Sequence, residues 1–211
     1  MKFEPALRRL AAQTAEALPV RNPRVVEALA AVPRHLFVDE ALRARAYADD
    51  ALPIGYGQTI SRLSTVARMT EALDPGPTDR ILEVGTGSGY QAAVLAKLSG
   101  EVYSVERIRA LAVRAQKTLH RLGIFGVTVR AGDGALGWPE AAPFQGILVA
   151  AVAREVPEAL LHQLAVGGRL VLPVGGGDDQ CLRRIVRESN SSWRDELLES
   201  CRFVPLIRSR G

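Results

Sequence analysis

Along the first thirty residues, Leu7, Leu10, Ala11, Thr14 and Leu18 recur at helical spacing. Asn22-Pro23 then opens a second short helix through Arg24 to Ala31, and Pro33 stops it. Residues 33–60 carry no clear period; Pro53, Gly55 and Gly57 mark them as an irregular loop. A third helix is expected over Leu63–Leu73, ended by the turn cluster Asp74-Pro75-Gly76-Pro77. From residue 79 the pattern changes to alternation. Strands are expected at Arg80–Val84, Glu101–Val105, Val127–Ala131, Phe144–Val149 and Arg169–Val174. Helices fall between them at Tyr90–Leu98 (capped by Gly100), Arg109–Leu122 and Pro157–Leu164. Cys181–Glu188 and Trp193–Phe203 read as a closing antiparallel pair. Strands separated by helices imply a doubly wound α/β fold, a mostly parallel sheet with helices on both faces. Residues 1–78 would form a helical extension and loop packed on a core of residues 79–211.

Composition narrows the class without naming a chemistry. The apolar share is 47% and the charged share 24%, which suits a chain able to bury a full core. The net charge of +4 is mild and the arginines are scattered, so no nucleic-acid partner is expected. No long apolar run suggests a membrane span, and the charged, amphipathic N-terminal segment does not resemble a secretory leader. Cys181 and Cys201 fit neither a zinc site nor a disulfide framework, and no metal cluster is visible. A cytoplasmic location follows as the expectation.

The chemical signal lies in Glu83-Val84-Gly85-Thr86-Gly87-Ser88-Gly89, between a strand and a helix. Glycines there let the backbone turn sharply and approach a ligand. The first strand–loop–helix unit of such a sheet is where a nucleotide-like cofactor binds. A dinucleotide fingerprint would place its third glycine at position 90, where this chain has Tyr90. The acidic Glu83 two residues before Gly85 gives instead an E-x-G-x-G-x-G form, which resembles the first motif of class I methyltransferases. A pyrophosphate would oppose a nearby carboxylate; S-adenosylmethionine has no phosphate and carries positive charge. Glu106 ends the second strand of the alternation, where a carboxylate can accept both ribose hydroxyls. Asp133, in Gly132-Asp133-Gly134, is placed to accept from the adenine amino group, or else to form a plain turn.

A closer resemblance rests on Val32–Val38, Leu52–Ser61, Ile81–Gln91, Ser104–Arg107, Gly132-Asp133-Gly134, Leu170–Gly175 and Arg202–Leu206. In this order they resemble the protein-L-isoaspartate O-methyltransferase family, and Gly57-Gln58-Thr59-Ile60-Ser61 is the most specific of them. The resemblance implies a Rossmann-like class I methyltransferase fold. It also implies methyl transfer from S-adenosylmethionine, leaving S-adenosylhomocysteine, to the α-carboxylate of L-isoaspartyl residues in damaged proteins. The ester then collapses to a succinimide. By the same resemblance Ser61 takes the active-site position. Gln58, Thr59, Ile60, Glu83, Gly85, Thr86, Gly87, Ser88, Gly89, Glu106, Arg107, Asp133 and Gly134 serve the cofactor, and the chain acts as a monomer on isoaspartyl proteins. The nucleophile is a carboxylate, ionised above about pH 4, so alignment rather than a strong base would carry the reaction.

Two stretches depart from the family pattern. After Ser61 the chain reads Arg62-Leu63-Ser64, without the usual proline and aromatic or imidazole group. After the fourth strand of the alternation it reads Ala150-Ala151-Val152-Ala153-Arg154. Both fall on the acceptor side. Another acceptor, or a cofactor-binding relative without catalysis, is the alternative they leave open. His35 and Trp138 read as packing residues; His120 and His162 read as solvent-facing.

Overall fold

The computed structural model describes residues 5–207. The side chains of residues 6–8, and with them the expected place of Leu7, lie outside that description. Helix α1 (Pro5–Glu16) buries Ala11 and Ala15, while Leu10 of the expected stripe stays exposed. Helix α2 (Pro23–Ala31) is capped as its sequence requires: Asn22 accepts from the Arg24 amide at 3.0 Å, and Pro23 sits in the first turn.

The stretch expected to be an irregular loop contains a hairpin, β1 (Leu52–Gly55) and β2 (Gln58–Ile60). Leu52, Ile54 and Ile60 point inward at the period of a strand. Three successive left-handed residues, Gly55, Tyr56 and Gly57, make its turn. Proline and the two glycines hid that short alternation. Helix α3 (Leu63–Leu73) ends where expected, at a left-handed Asp74.

The alternation then runs through β3 (Arg80–Val84), α4 (Tyr90–Leu95), β4 (Glu101–Glu106), α5 (Arg109–Arg121), β5 (Val127–Ala131), β6 (Phe144–Val149), α6 (Glu158–His162), β7 (Leu164–Gly176), β8 (Asp179–Arg187) and β9 (Trp193–Ser200). Seven of these strands form one sheet, ordered β5-β4-β3-β6-β7-β8-β9. β3 to β7 run parallel, and β8 is antiparallel to both its neighbours. The fold is thus the expected Rossmann-like α/β arrangement.

Some boundaries differ from the expected ones. α4 stops at Leu95, and Gly100 lies beyond it, outside the left-handed region. A Cβ at Gly100 would come within 3.2 Å of the Thr78 backbone, so this glycine serves a close approach rather than a helix end. β7 begins at Leu164, five residues before the expected start, because Leu164 already pairs with Phe144. The glycine pair Gly167-Gly168 sits within the strand at an irregularity in its register.

Alternate residues of β3 serve opposite faces. Ile81 joins the cluster that holds α1 to α5, with Val25, Leu63, Leu95 and Leu111. Leu82 and Val84 join the other, with Phe144, Leu160 and Leu170.

Candidate functional site

β3 has β4 on one side and β6 on the other, so the chain reverses direction across the sheet here. Such a switch point opens a crevice beyond the carboxyl ends of the strands. Its edges are fixed by the backbone: the Gly85 amide donates to the Val105 carbonyl, and the Ala150 amide to the Val84 carbonyl, both at 2.8 Å. A cavity of about 190 Å³ lies there. Of the residues expected to serve it, Gln58, Thr59, Ile60, Ser61, Gly85, Thr86, Gly87, Ser88, Glu106, Arg107 and Gly134 line it. Glu83, Gly89 and Asp133 are not among its lining residues.

The glycine loop crosses the cavity floor. Gly87 has φ +53, and a Cβ there would come within 3.3 Å of Ile54 Cδ1 on the hairpin above. Its amide donates to Glu106 Oε2 at 2.8 Å, while Glu106 Oε1 accepts from the Ile108 amide at 2.8 Å. The Glu106 carboxylate is therefore held by two main-chain donors, facing the cavity from the end of β4.

Glu83 lies beneath the loop, fully buried, opposite Ser104 in the β3–β4 register. The Ser104 hydroxyl donates to Glu83 Oε2, and Thr86 Oγ1 lies 2.5 Å from Ser104 Oγ. Glu83 Oε1 has no hydrogen-bond partner among the described residues. Burial pushes this carboxyl up to about 8, and repulsion from Glu106 adds to it against the Ser104 hydrogen bond. Glu83 thus supports the loop from below. Gly89 faces away, towards Ala115 and Leu119 of α5.

Asp133 caps a short turn: its Oδ1 accepts from the Ala135 amide at 2.9 Å. The next residue has no room for a side chain, since a Cβ at Gly134 would fall 2.3 Å from Val84 Cγ1. Gly134→Ala is expected to cost about 1–3 kcal/mol of stability and to weaken S-adenosylhomocysteine binding, read by thermal melting with and without the ligand. Unchanged melting in both states would show that Val84 yields without consequence.

The hairpin forms the cavity's outer side. Arg114 of α5 donates to the Ile54 carbonyl and ties the hairpin down over the glycine loop. Beyond it Ser61 carries a hydroxyl with no hydrogen-bond partner among the described residues. Ser61 also lines a second, wider groove of about 780 Å³, shared with Thr59, Ala150 and Val204. It stands at the junction of the two spaces.

Several lining residues were not anticipated: Val66 and Met69 of α3, Tyr90 and Gln91 of α4, and residues 204–207; Ala150 and Ala151 come from the stretch expected on the acceptor side. Tyr90, noticed only as a missing glycine, is buried edge-on to Phe37 at 5.5 Å with Arg34 over its ring at 5.1 Å. The 204–207 segment is strapped to the residues after β6. Val152 donates to the Val204 carbonyl at 2.8 Å, and Leu206 to the Val152 carbonyl at 2.7 Å. The Arg202–Leu206 stretch was the available sign of it. The histidines lie elsewhere. His35 Nδ1 meets the Tyr47 hydroxyl at 2.9 Å, His120 and His162 are exposed, and Trp138 stacks under Arg130 at 4.1 Å.

The donor set suits S-adenosylmethionine. An oriented carboxylate at the end of β4 matches a ribose diol, and Val105 and Ile108 give an apolar flank for a flat ring. The uncovered backbone at Gly134 permits close approach.

Comparison with known proteins points the same way. The chain is 53% identical to a protein-L-isoaspartate O-methyltransferase of Magnetococcus marinus over 192 residues, covering 91% of this chain and 84% of that one. It is 49% identical to the Geobacter metallireducens protein of the same name, over 100% and 98% of the two chains. A structure described as the Plasmodium falciparum protein-L-isoaspartate O-methyltransferase in complex with S-adenosyl-L-homocysteine superposes with a TM-score of 0.81 at 25% identity, over 94% and 99% of the chains. The sequence profile of protein-L-isoaspartate(D-aspartate) O-methyltransferases matches residues 8–211. With fold, cavity and profile in agreement over nearly its whole length, this chain belongs to the protein-L-isoaspartate(D-aspartate) O-methyltransferase family.

Proposed function

We propose that this chain transfers a methyl group from S-adenosylmethionine to the free α-carboxylate of L-isoaspartyl residues in damaged proteins. The observation that carries the reading is the position of Ser61. Its hydroxyl, unpartnered among the described residues, stands where the small inner cavity meets the wider outer groove. The inner cavity is lined for a small cofactor; the outer one is wide enough for a peptide segment.

Each lining group has a task in this reading. Glu106 accepts from the ribose hydroxyls, with its oxygens already aimed by the Gly87 and Ile108 amides. Gly85–Ser88 turn the backbone around the amino-acid end. Gly134 and Ile108 border the adenine, and Asp133 fixes the turn that presents Gly134. Gln58, Thr59 and Ile60 cover the cofactor from the hairpin. When bound, the cofactor supplies an electrophilic methyl on a sulfonium, which the acceptor oxygen takes as a methyl ester while the thioether is released. Ser61 donates to the second acceptor oxygen and so turns the attacking one towards the methyl. No general base is needed, because the acceptor is already ionised at neutral pH. Ile60, Val66 and Val204 exclude water from the meeting point.

The same reading places the protein as a monomer in the cytoplasm, acting on protein rather than nucleic acid. The two free thiols suit a reducing compartment. No helix among the described residues is long and apolar enough to cross a membrane.

The test is transfer of labelled methyl groups to a short isoaspartyl peptide, against the matched aspartyl peptide. Labelling of the isoaspartyl peptide alone is expected. No labelling by protein that binds S-adenosylhomocysteine would overturn the reading and leave a cofactor-binding protein with another acceptor or none.

A further inference from the structure

We propose that Arg62 selects among damaged sites, favouring isoaspartyl residues with an acidic side chain nearby in the peptide. This rests on the reading of the wider groove as the acceptor's path.

The three residues after Ser61, Arg62-Leu63-Ser64, have different tasks in the structure. Leu63 is buried and packs into the cluster that joins α1, α2 and α4. Ser64 is gripped by Asp49, whose carboxylate accepts from its amide at 2.9 Å and from its hydroxyl at 2.7 Å. That contact satisfies a free amide in the first turn of α3 from outside the helix. Arg62 is the residue before that turn, and its own side chain makes no capping bond. Two of the three residues are thus committed to holding α3, which leaves the Arg62 guanidinium free to serve the groove.

The charges of the groove sharpen the point. Three arginines line it: Arg62, Arg68 and Arg202. Arg68 pairs with Glu199 at 3.2 Å, and Arg202 with Asp178 at 2.8 Å; both carboxylates line the same groove. Arg62 has no carboxylate or hydrogen-bond partner among the described residues. Among the described residues the wall therefore carries two ion pairs and one cation without a carboxylate partner, next in sequence to Ser61.

Its location decides what that cation reads. Ser61 lines both spaces, whereas Arg62 lines the outer groove and not the inner cavity. A carboxylate at Ser61, ready to accept a methyl group, lies on the inner side of the junction. The side chains flanking it lie in the groove. Arg62 therefore meets a flanking residue, and pairing there leaves the nucleophile's own charge unquenched. A lysine at that place would face Arg62 across a groove whose described carboxylates, Asp178 and Glu199, are already paired.

The experiment is steady-state methylation of three isoaspartyl peptides that differ only in a flanking Glu, Gln or Lys. The native chain is compared with Arg62→Gln and Arg62→Glu, with melting curves to show that each variant is folded. For the native chain, kcat/KM is expected to be about fivefold higher with the Glu flank than with the Lys flank, the scale of a solvent-exposed pair. The ratio should shrink as salt is raised towards 0.5 M, should approach unity in Arg62→Gln, and should invert in Arg62→Glu. A ratio unchanged by either substitution, with all three peptides methylated, overturns the selection by Arg62 and leaves the repair reading standing. No methylation of any peptide by native protein that binds S-adenosylhomocysteine overturns both. The salt series on the native chain keeps the test decisive if a variant misfolds: a preference insensitive to salt counts against the proposal.

Discussion

Replacing Glu106 by alanine is expected to lower the affinity for S-adenosylhomocysteine about a hundredfold or more, measured by calorimetry, with methyl transfer falling in parallel. The carboxylate does two things at once. In the proposed reading it offers charged acceptors to the ribose hydroxyls, and it holds the Gly87 and Ile108 amides at 2.8 Å each. Hydrogen bonds to a charged group are each worth about 1.5–3 kcal/mol, so losing two accounts for the hundredfold before any movement of the loop. Glu106→Gln should also bind poorly. An amide has one oxygen where two main-chain donors need acceptors, and its NH2 group would face an N–H. Binding within threefold of native for Glu106→Ala would show that the carboxylate holds neither ribose nor loop.

The second large effect concerns Glu83. Its carboxyl titrates near 8 in the folded chain against an ordinary value of 4.5, chiefly because it is fully buried. Between those two values the folded chain keeps a proton that the unfolded chain has lost. Stability must therefore fall as pH rises across that window, and the loss is complete above about pH 8. Glu83→Gln stays neutral throughout and can still accept from Ser104. Denaturant midpoints from pH 5.5 to 8.5 should fall for the native chain and stay flatter for Glu83→Gln, the curves separating by a few kcal/mol at the alkaline end. The Cys201 thiol, pushed up to about 11 by burial, titrates beyond this window and cannot mimic the effect. Parallel curves would refute the raised titration of the buried Glu83 carboxyl.

The same residue shows where sequence reading worked and where it stopped. The spacing of Glu83, Gly85, Gly87 and Glu106 along two strands and a loop was enough to bring the loop and the Glu106 carboxylate to one cavity. These contacts are local, and the apolar strand before the loop announces them. Glu83 itself points by strand alternation to the face of Ile81, under the loop, which a linear motif does not display. Asp133 is similar: its cap on Ala135 spans two residues and belongs to the turn. The hairpin at Leu52–Ile60 was hidden because Pro53, Gly55 and Gly57 look like loop residues while Leu52, Ile54 and Ile60 bury. The walls from Met69, Gln91 and Val204 were out of reach for another reason. They come from elements brought together only by the sheet, and an apolar side chain facing a ligand looks like one facing the core. The segment after Ser61 stood out in the sequence, but its division into buried Leu63, tethered Ser64 and Arg62 without a partner among the described residues needed Asp49, fifteen residues away.

The strap of residues 204–207 shares a cavity with Gly57 and Gln58 of the hairpin, and the glycine loop lies between them. Whatever occupies that space touches stretches of chain nearly 150 residues apart. A small molecule bound there acts as a non-covalent staple across the sequence, closing a loop that would otherwise cost chain entropy. Occupancy and the integrity of the whole molecule then rise and fall together: S-adenosylhomocysteine at a hundred times its dissociation constant is expected to add about 2.7 kcal/mol of stability.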